Sequence, residues 1–283
     1  PIPYEMTTSY REGTEFGPKA CINASIQVEI NDELLESELP CGFKIHTSKP
    51  WDNDVSSLKE ALVSITNFST PWMNGEQFPI ILGGEHGLLL PLIEAVKEHP
   101  SINQELQKLT IVQIDAHADL RDELNGEKFS HGTVIRRVLE KGVGNIIQIG
   151  IRTYSSEEKN IIDSDERINT WFAKDLLKIN HNNSNWDLMI NEIKNIDGPV
   201  WLSFDVDGLD GSLVPATGTP VPGGLSYWGA IEIIESLFSA SNNEIIGADV
   251  NEISTSGETN LTEFSAALIA TKILACHIST KIQ

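Results

Sequence analysis

The chain has 283 residues, 40% of them hydrophobic and 22% charged, and its 20 basic and 41 acidic residues give a formal charge of -21. That length suits one α/β domain with one large core, and the negative balance repels phosphate backbones and anionic membranes, so neither nucleic acid nor a membrane is expected as a partner. Cys21, Cys41 and Cys276 show no metal-binding or redox spacing, no apolar stretch follows a basic start, and no eighteen apolar residues run together, so the expectation is a cytoplasmic protein with reduced thiols.

In chain order, Val55, Leu58, Leu62, Ile65 and Phe68 recur at helical spacing and predict an amphipathic helix. A short apolar run over 79–82 predicts a buried strand, and 88–96 returns to the helical period. A strand follows over 109–114, a helix over 134–139, and further Ile- and Val-rich strands over 145–151, 199–204 and 244–250. No linker or internal repeat interrupts this alternation, so residues 1–283 read as a single domain. The predicted fold is α/β: a three-layer α/β/α sandwich on a central, mostly parallel sheet with right-handed crossovers.

In such sheets ligands collect beyond the carboxyl ends of the strands. Directly after three of these apolar runs come Gly83-Gly84-Glu85-His86, Asp115-Ala116-His117-Ala118-Asp119 and Asp205-Val206-Asp207. If these segments stay extended, alternation points Asp115, His117 and Asp119 one way, and Asp205 with Asp207 likewise. A lone Asp-x-His is usually a turn or a solvated pair, but three such segments after three strands are a different matter. Four clustered carboxylates must be protonated or neutralised. Two imidazoles and four carboxylates exceed the ligand set of one zinc, and the oxygen-rich set favours a harder ion, manganese, with two ions sharing carboxylates. His46, His99, His181 and His277 lack such surroundings and are expected at the surface or in packing. Gly83, Gly84, Gly223 and Gly224 are expected to allow positive φ and close backbone approach; no phosphate-loop pattern follows a strand.

These residues resemble the ureohydrolases, the family of arginase and agmatinase, along nearly the whole chain, from Ser9-Tyr10 and Gly17-Pro18 to the terminal helix. The most specific pieces are the runs 83–86, 115–119 and 203–210, with the loop 215–225 after them. The resemblance implies one Mn2+ held by His86, Asp115, Asp119 and Asp205, and a second held by Asp115, His117, Asp205 and Asp207. Asp119, His131 and Glu252 would be catalytic: Glu252 gripping a small cationic guanidino substrate, Asp119 passing a proton to the departing amine, and His131 relaying protons with solvent. A water activated between the two ions would attack the guanidinium carbon. Asp249 is expected behind the site, orienting a ligand or a turn. The family usually forms homo-oligomers, trimers or hexamers.

Gly87 stands where many relatives carry serine, a loss that would loosen ligand orientation. The loop 120–127 lacks the serine and asparagine pattern with which arginases read an α-carboxylate. Asp122, Glu123 and Glu127 suit an amine tail, which points to agmatine, cleaved to putrescine and urea. Arg121 could instead grip a carboxylate. The alternatives are guanidinobutyrase, arginase or formimidoylglutamase activity, a noncatalytic metal-binding relative, and a deacylase on a related sandwich, disfavoured because such enzymes use one zinc and fewer carboxylates.

Overall fold

The structure is a computed structural model that describes residues 1–177, 184–255 and 259–282. From the amino end come α1 (Gly17–Ser25), a two-stranded antiparallel hairpin of β1 (Asn31–Asp32) and β2 (Ser37–Glu38), α2 (Leu58–Ser69), β3 (Ile80–Leu82) and α3 (Leu89–Val96). The middle holds β4 (Thr110–Ile114), α4 (Val134–Glu140), β5 (Asn145–Ile151), α5 (Ser156–Ser164), β6 (Ile168–Phe172) and α6 (Ala173–Leu176). The last third holds α7 (Ser184–Lys194), β7 (Gly198–Asp205), α8 (Tyr227–Ser239), β8 (Asn243–Asn251) and α9 (Leu261–Ile282).

Strands β3 to β8 form one sheet in the order β3-β8-β7-β4-β5-β6, and every pairing in it is parallel. The apolar runs sit on these strands because alternate residues must fill two cores. Val112, Ile147 and Leu202 face a core shared with α7, α8 and α9. Ile111, Ile146 and Trp201 face the opposite core, shared with α2, α3 and α4. The three-layer sandwich is therefore as expected, with parallel pairing throughout the larger sheet.

The sequence pattern does not reveal β6, whose Ile168-Asn169-Thr170-Trp171-Phe172 is mostly half-buried or exposed at the sheet edge and so lacks the apolar signature of a central strand. The first predicted helix starts at Leu58 rather than Val55, because the Ser57 hydroxyl accepts from the Glu60 N–H at 3.3 Å and caps it there. Among the described residues, α9 is the one helix long and apolar enough to cross a membrane. Its Ile269, Ile273 and Cys276 are built into the core, so packing accounts for its apolar character.

Chain order fixes where the site opens. From β4 the chain moves outward through β5 to β6, then returns to β7 on the other side of β4 and continues to β8. The connections after β4 and β7 therefore leave in opposite directions, and a crevice forms between their carboxyl ends. Asp115 follows β4, and Asp205 ends β7.

Candidate metal centre

Asp115 lies at the middle of the crevice with one carboxylate oxygen for each imidazole. Its Oδ2 is 3.1 Å from His86 Nδ1, and its Oδ1 is 3.6 Å from His117 Nδ1. On the first side Asp119 Oδ2 lies 2.9 Å and Asp205 Oδ2 3.7 Å from the same His86 nitrogen. On the other, Asp207 Oδ2 lies 2.9 Å from His117 Nδ1. Two groups able to hold a metal result, His86 with Asp115 and Asp119, and Asp115 with His117 and Asp207. All six are brought to one crevice, with Asp205 beside the first group.

The convergence does not come from pleat alternation, as extended segments would have required. β4 stops at Ile114, and Asp119 takes a left-handed backbone with φ of 52°. Asp207 lies in a single 3-10 turn, Val206–Gly208, begun when the Asp205 carboxylate accepts the Asp207 N–H at 2.9 Å. Further bonds fix these turns: Asp115 Oδ1 accepts the His117 N–H at 2.6 Å and Asp207 Oδ1 the Ala116 N–H at 2.9 Å. Arg152, which no sequence pattern singles out, donates to the carbonyls of Asp207 at 2.7 Å and Val221 at 2.6 Å, tying the 3-10 turn to the loop that follows it.

Charge is strongly unbalanced in this crevice. Burial disfavours charge on His86, but hydrogen bonds and charges from Asp115 and Asp119 outweigh it and push the imidazole well above its usual value. His117 is pushed to about 12, burial being overcome by Asp207 and Asp115. The two imidazoles hold Asp115 well below the carboxylate range against its burial. Burial and the Asp115 charge raise Asp119 to about 7, while burial with Asp207, Asp115 and Glu252 raises Asp205 strongly. The residues thus share protons where divalent cations would relieve the same repulsion, and the oxygen-rich donor set with two imidazoles fits such ions.

His86 is oriented from behind. The Ser203 hydroxyl donates to Asp249 Oδ1 at 2.8 Å and lies 2.9 Å from His86 Nε2. Since the serine proton is engaged, its oxygen accepts from Nε2–H, which turns Nδ1 towards the carboxylates. Asp249, buried and accepting also from Asn251 Nδ2 at 2.6 Å and from Trp201 Nε1, stands behind this serine. Gly87 leaves space that Tyr4 fills: a Cβ there would lie 3.3 Å from the Tyr4 ring. The close-approach role of the glycines is clear at Gly84, where a Cβ would meet the Tyr4 carbonyl oxygen at 1.9 Å. Of the four glycines singled out, Gly223 takes positive φ.

A cavity of about 220 Å³ is lined by His86, His117, Asp119, Asp205 and Asp207, with Asp115 buried beneath them, and also by His131, Glu252, Thr219, Arg11, Arg121 and Glu158. Glu252, just beyond β8, has a left-handed backbone with φ of 62°, and its Oε1 accepts the His86 N–H at 2.8 Å. Burial, with Glu85 and Asp207 nearby, raises it to about 8 against that N–H. His131 is pushed down to about 4 by burial and by His117 and His86. Its ring is bracketed by an amino-terminal strap that sequence reasoning missed: Thr7 Oγ1 is 3.3 Å from Nδ1, and Ser9 Oγ is 3.3 Å from Nε2. The strap is pinned by buried Glu85, which accepts the Met6 and Thr7 N–H groups at 2.9 Å.

The acidic loop is arranged differently from its sequence reading. Among the described residues it gives the cavity wall Arg121 and Leu124, not Asp122, Glu123 or Glu127. Arg137 holds Asp122 away at 3.0 Å, and Glu127 turns back to accept the Phe129 N–H at 2.9 Å. The remaining histidines lie elsewhere: His46 stacks on Trp72, His277 stacks on Phe78, and His99 is buried with Nδ1 near the Ser101 N–H. His181 lies outside the described residues. The described cysteines are free.

A model of the arginase family matches residues 1–276. The N(1)-aminopropylagmatine ureohydrolase of Synechocystis sp. is 36% identical over 97% of this chain and 86% of its own length. The agmatinase of Pyrococcus horikoshii is 32% identical over 94% of this chain and 86% of its own. The agmatine ureohydrolase structure of Thermoplasma volcanium superposes with a TM-score of 0.81 at 25% identity, covering 99% of this chain and 89% of that one. The chain belongs to the arginase family of ureohydrolases, hydrolases that act on guanidino compounds.

Proposed function

We propose that the chain is a binuclear manganese hydrolase that cleaves agmatine to putrescine and urea. The observation that carries this reading is the sharing of Asp115 between two metal-capable groups beneath one cavity. His86, Asp115, Asp119 and Asp205 would hold one Mn2+, and Asp115, His117, Asp205 and Asp207 the other. When bound, such ions supply the Lewis acidity that makes water a nucleophile near neutral pH.

The chain's own residues do the rest. Glu252, its Oε1 fixed by the His86 N–H, receives the flat guanidinium by charge-assisted hydrogen bonds and sets its carbon over the metal residues. Asp119 takes a proton from the attacking water and passes it to the leaving nitrogen, so that guanidinium and water become urea and an alkylammonium ion. His131, between Thr7 and Ser9, exchanges protons with solvent at the mouth. An amine tail would meet the hydroxyls of Thr8, Ser9, Thr153 and Thr219 and the carboxylate of Glu158.

A second reading rests on Arg11 and Arg121, which also line the mouth and suit a carboxylate tail such as that of guanidinobutyrate. Urea release after manganese loading, measured for agmatine, aminopropylagmatine, guanidinobutyrate and arginine, tests both. Preference for an amine tail supports the first, preference for a carboxylate tail the second, and silence across the set defeats both.

A further inference from the structure

One residue layer below the metal residues, a polar row crosses the buried sheet. In register from β8 to β6 stand Asp249, Ser203, Gln113, Gln148 and Thr170. The first four are fully buried, on the face otherwise packed by α2, α3 and α4. Apolar side chains would be the ordinary occupants of such central positions, and an amide buried there without partners is unfavourable. Each amide is partnered, and the partners dictate which way each points.

The direction is set by backbone carbonyls, which only accept. Gln148 Nε2 donates to the Ala118 carbonyl at 2.8 Å, so its Oε1 faces away and accepts the Thr170 hydroxyl at 2.8 Å. The same Nε2 donates to Gln113 Oε1 at 2.7 Å. Gln113 Nε2 is thereby turned to Asp115 Oδ2, at 2.7 Å, and to the His117 carbonyl, at 3.3 Å. The carbonyls of Ala118 and His117 belong to the very loop that carries Asp115, His117 and Asp119. The oxygen that receives the amide is the one facing His86.

We propose that Gln113 and Gln148 form an oriented amide ladder, anchored at Thr170, that holds the shared carboxylate Asp115 and its loop in position for metal binding. The ladder rests on the reading of the crevice as a metal site. Gln113 and Gln148 are positioning residues, acting through Asp115. Removing such a partner of a ligand lowers metal affinity about 10–100-fold.

The test is calorimetric titration of metal-free protein with MnCl2, beside thermal melting of the same metal-free samples, for the unsubstituted chain, Gln113→Leu and Gln148→Met. The ladder predicts affinity for Mn2+ about 10–100-fold weaker in both variants, with metal-free melting temperatures within a few degrees of the unsubstituted chain. Unchanged affinity in either folded variant overturns it, as does a lowered metal-free melting temperature with unchanged affinity, the mark of a purely structural role. If Gln113→Leu does not fold, Gln148→Met decides the matter alone, because it removes the group that orients Gln113. An unsubstituted chain that takes up no Mn2+ overturns the metal reading itself, a result distinct from the loss of the ladder alone.

Discussion

The backbone N–H of His86 donates to Glu252 Oε1 at 2.8 Å, joining the turn after β3 to the turn after β8. One bond therefore ties a candidate metal residue to the carboxylate proposed to hold the substrate. Glu252→Gln keeps an oxygen for that N–H but removes the charge that meets the guanidinium. Its kcat/KM should fall by about 10²–10³-fold, while metal content by elemental analysis stays at the unsubstituted value. Metal loss in this variant would place Glu252 among the groups that build the metal site.

His131 has two hydroxyl neighbours and a value depressed to about 4, which keeps it neutral at working pH. His131→Asn should lower kcat by about 10²–10⁴-fold. Thr7→Val should lower kcat by a smaller factor, with KM nearly unchanged, since it reaches the reaction through His131, whereas Ser9→Ala, at a residue that also lines the cavity, should change KM as well. Steady-state kinetics at saturating manganese separates these effects; a KM change alone would assign the strap to substrate binding.

The metal-free protein should lose stability as pH rises from 6.5 to 8. Glu252, Asp119 and Glu85 are raised to about 8, 7 and 7, and His117 is raised to about 12 with His86 also raised. In this window the folded state holds protons that the unfolded chain has released, so unfolding becomes easier with rising pH, by about 1.4 kcal/mol per excess proton per pH unit. Asp205, also raised by burial, adds to these, while His99, lowered by burial, runs the other way. His131 and His277, both lowered to about 4, also oppose the loss near pH 6.5, where their unfolded imidazoles still hold part of a proton, and their contribution fades as pH rises towards 8. Divalent cations displace the same protons, so the gap between metal-loaded and metal-free melting temperatures should widen from pH 6.5 to 8. A constant gap would contradict the proton inventory of the crevice.

Arg121 reaches Glu158 at a Nε–Oε2 distance of 3.8 Å and lines the cavity mouth. If the substrate carries an amine tail, Arg121→Ala should leave kcat/KM for agmatine within a fewfold or raise it. If the tail is a carboxylate, the same change should cost guanidinobutyrate hydrolysis about tenfold or more. The ratio of the two kcat/KM values before and after substitution decides which tail this arginine serves.

Asp115, Asp205 and their neighbours are legible in the sequence because each directly follows an apolar run, and parallel sheets bring strand ends together whatever lies between. His131 is legible only through resemblance, since its contact with Thr7 spans 124 positions and no local pattern encodes it. The acidic loop misleads because side-chain charge says nothing of direction: Asp122 is turned out by Arg137, which the sequence places fifteen residues away. Gln113 and Gln148 carry a readable signal, a lone amide in Thr110-Ile111-Val112-Gln113-Ile114 and in Asn145-Ile146-Ile147-Gln148-Ile149, but its meaning needs the register that sets them side by side. β6 is hidden because an edge strand can be polar.

Elemental analysis of manganese-loaded protein, paired with product analysis on agmatine, tests the binuclear assignment most directly. Two manganese ions per chain, with urea and putrescine released in equal amounts, is the predicted result. One ion or none per chain, with no urea formed from any guanidino compound of the set, would contradict it.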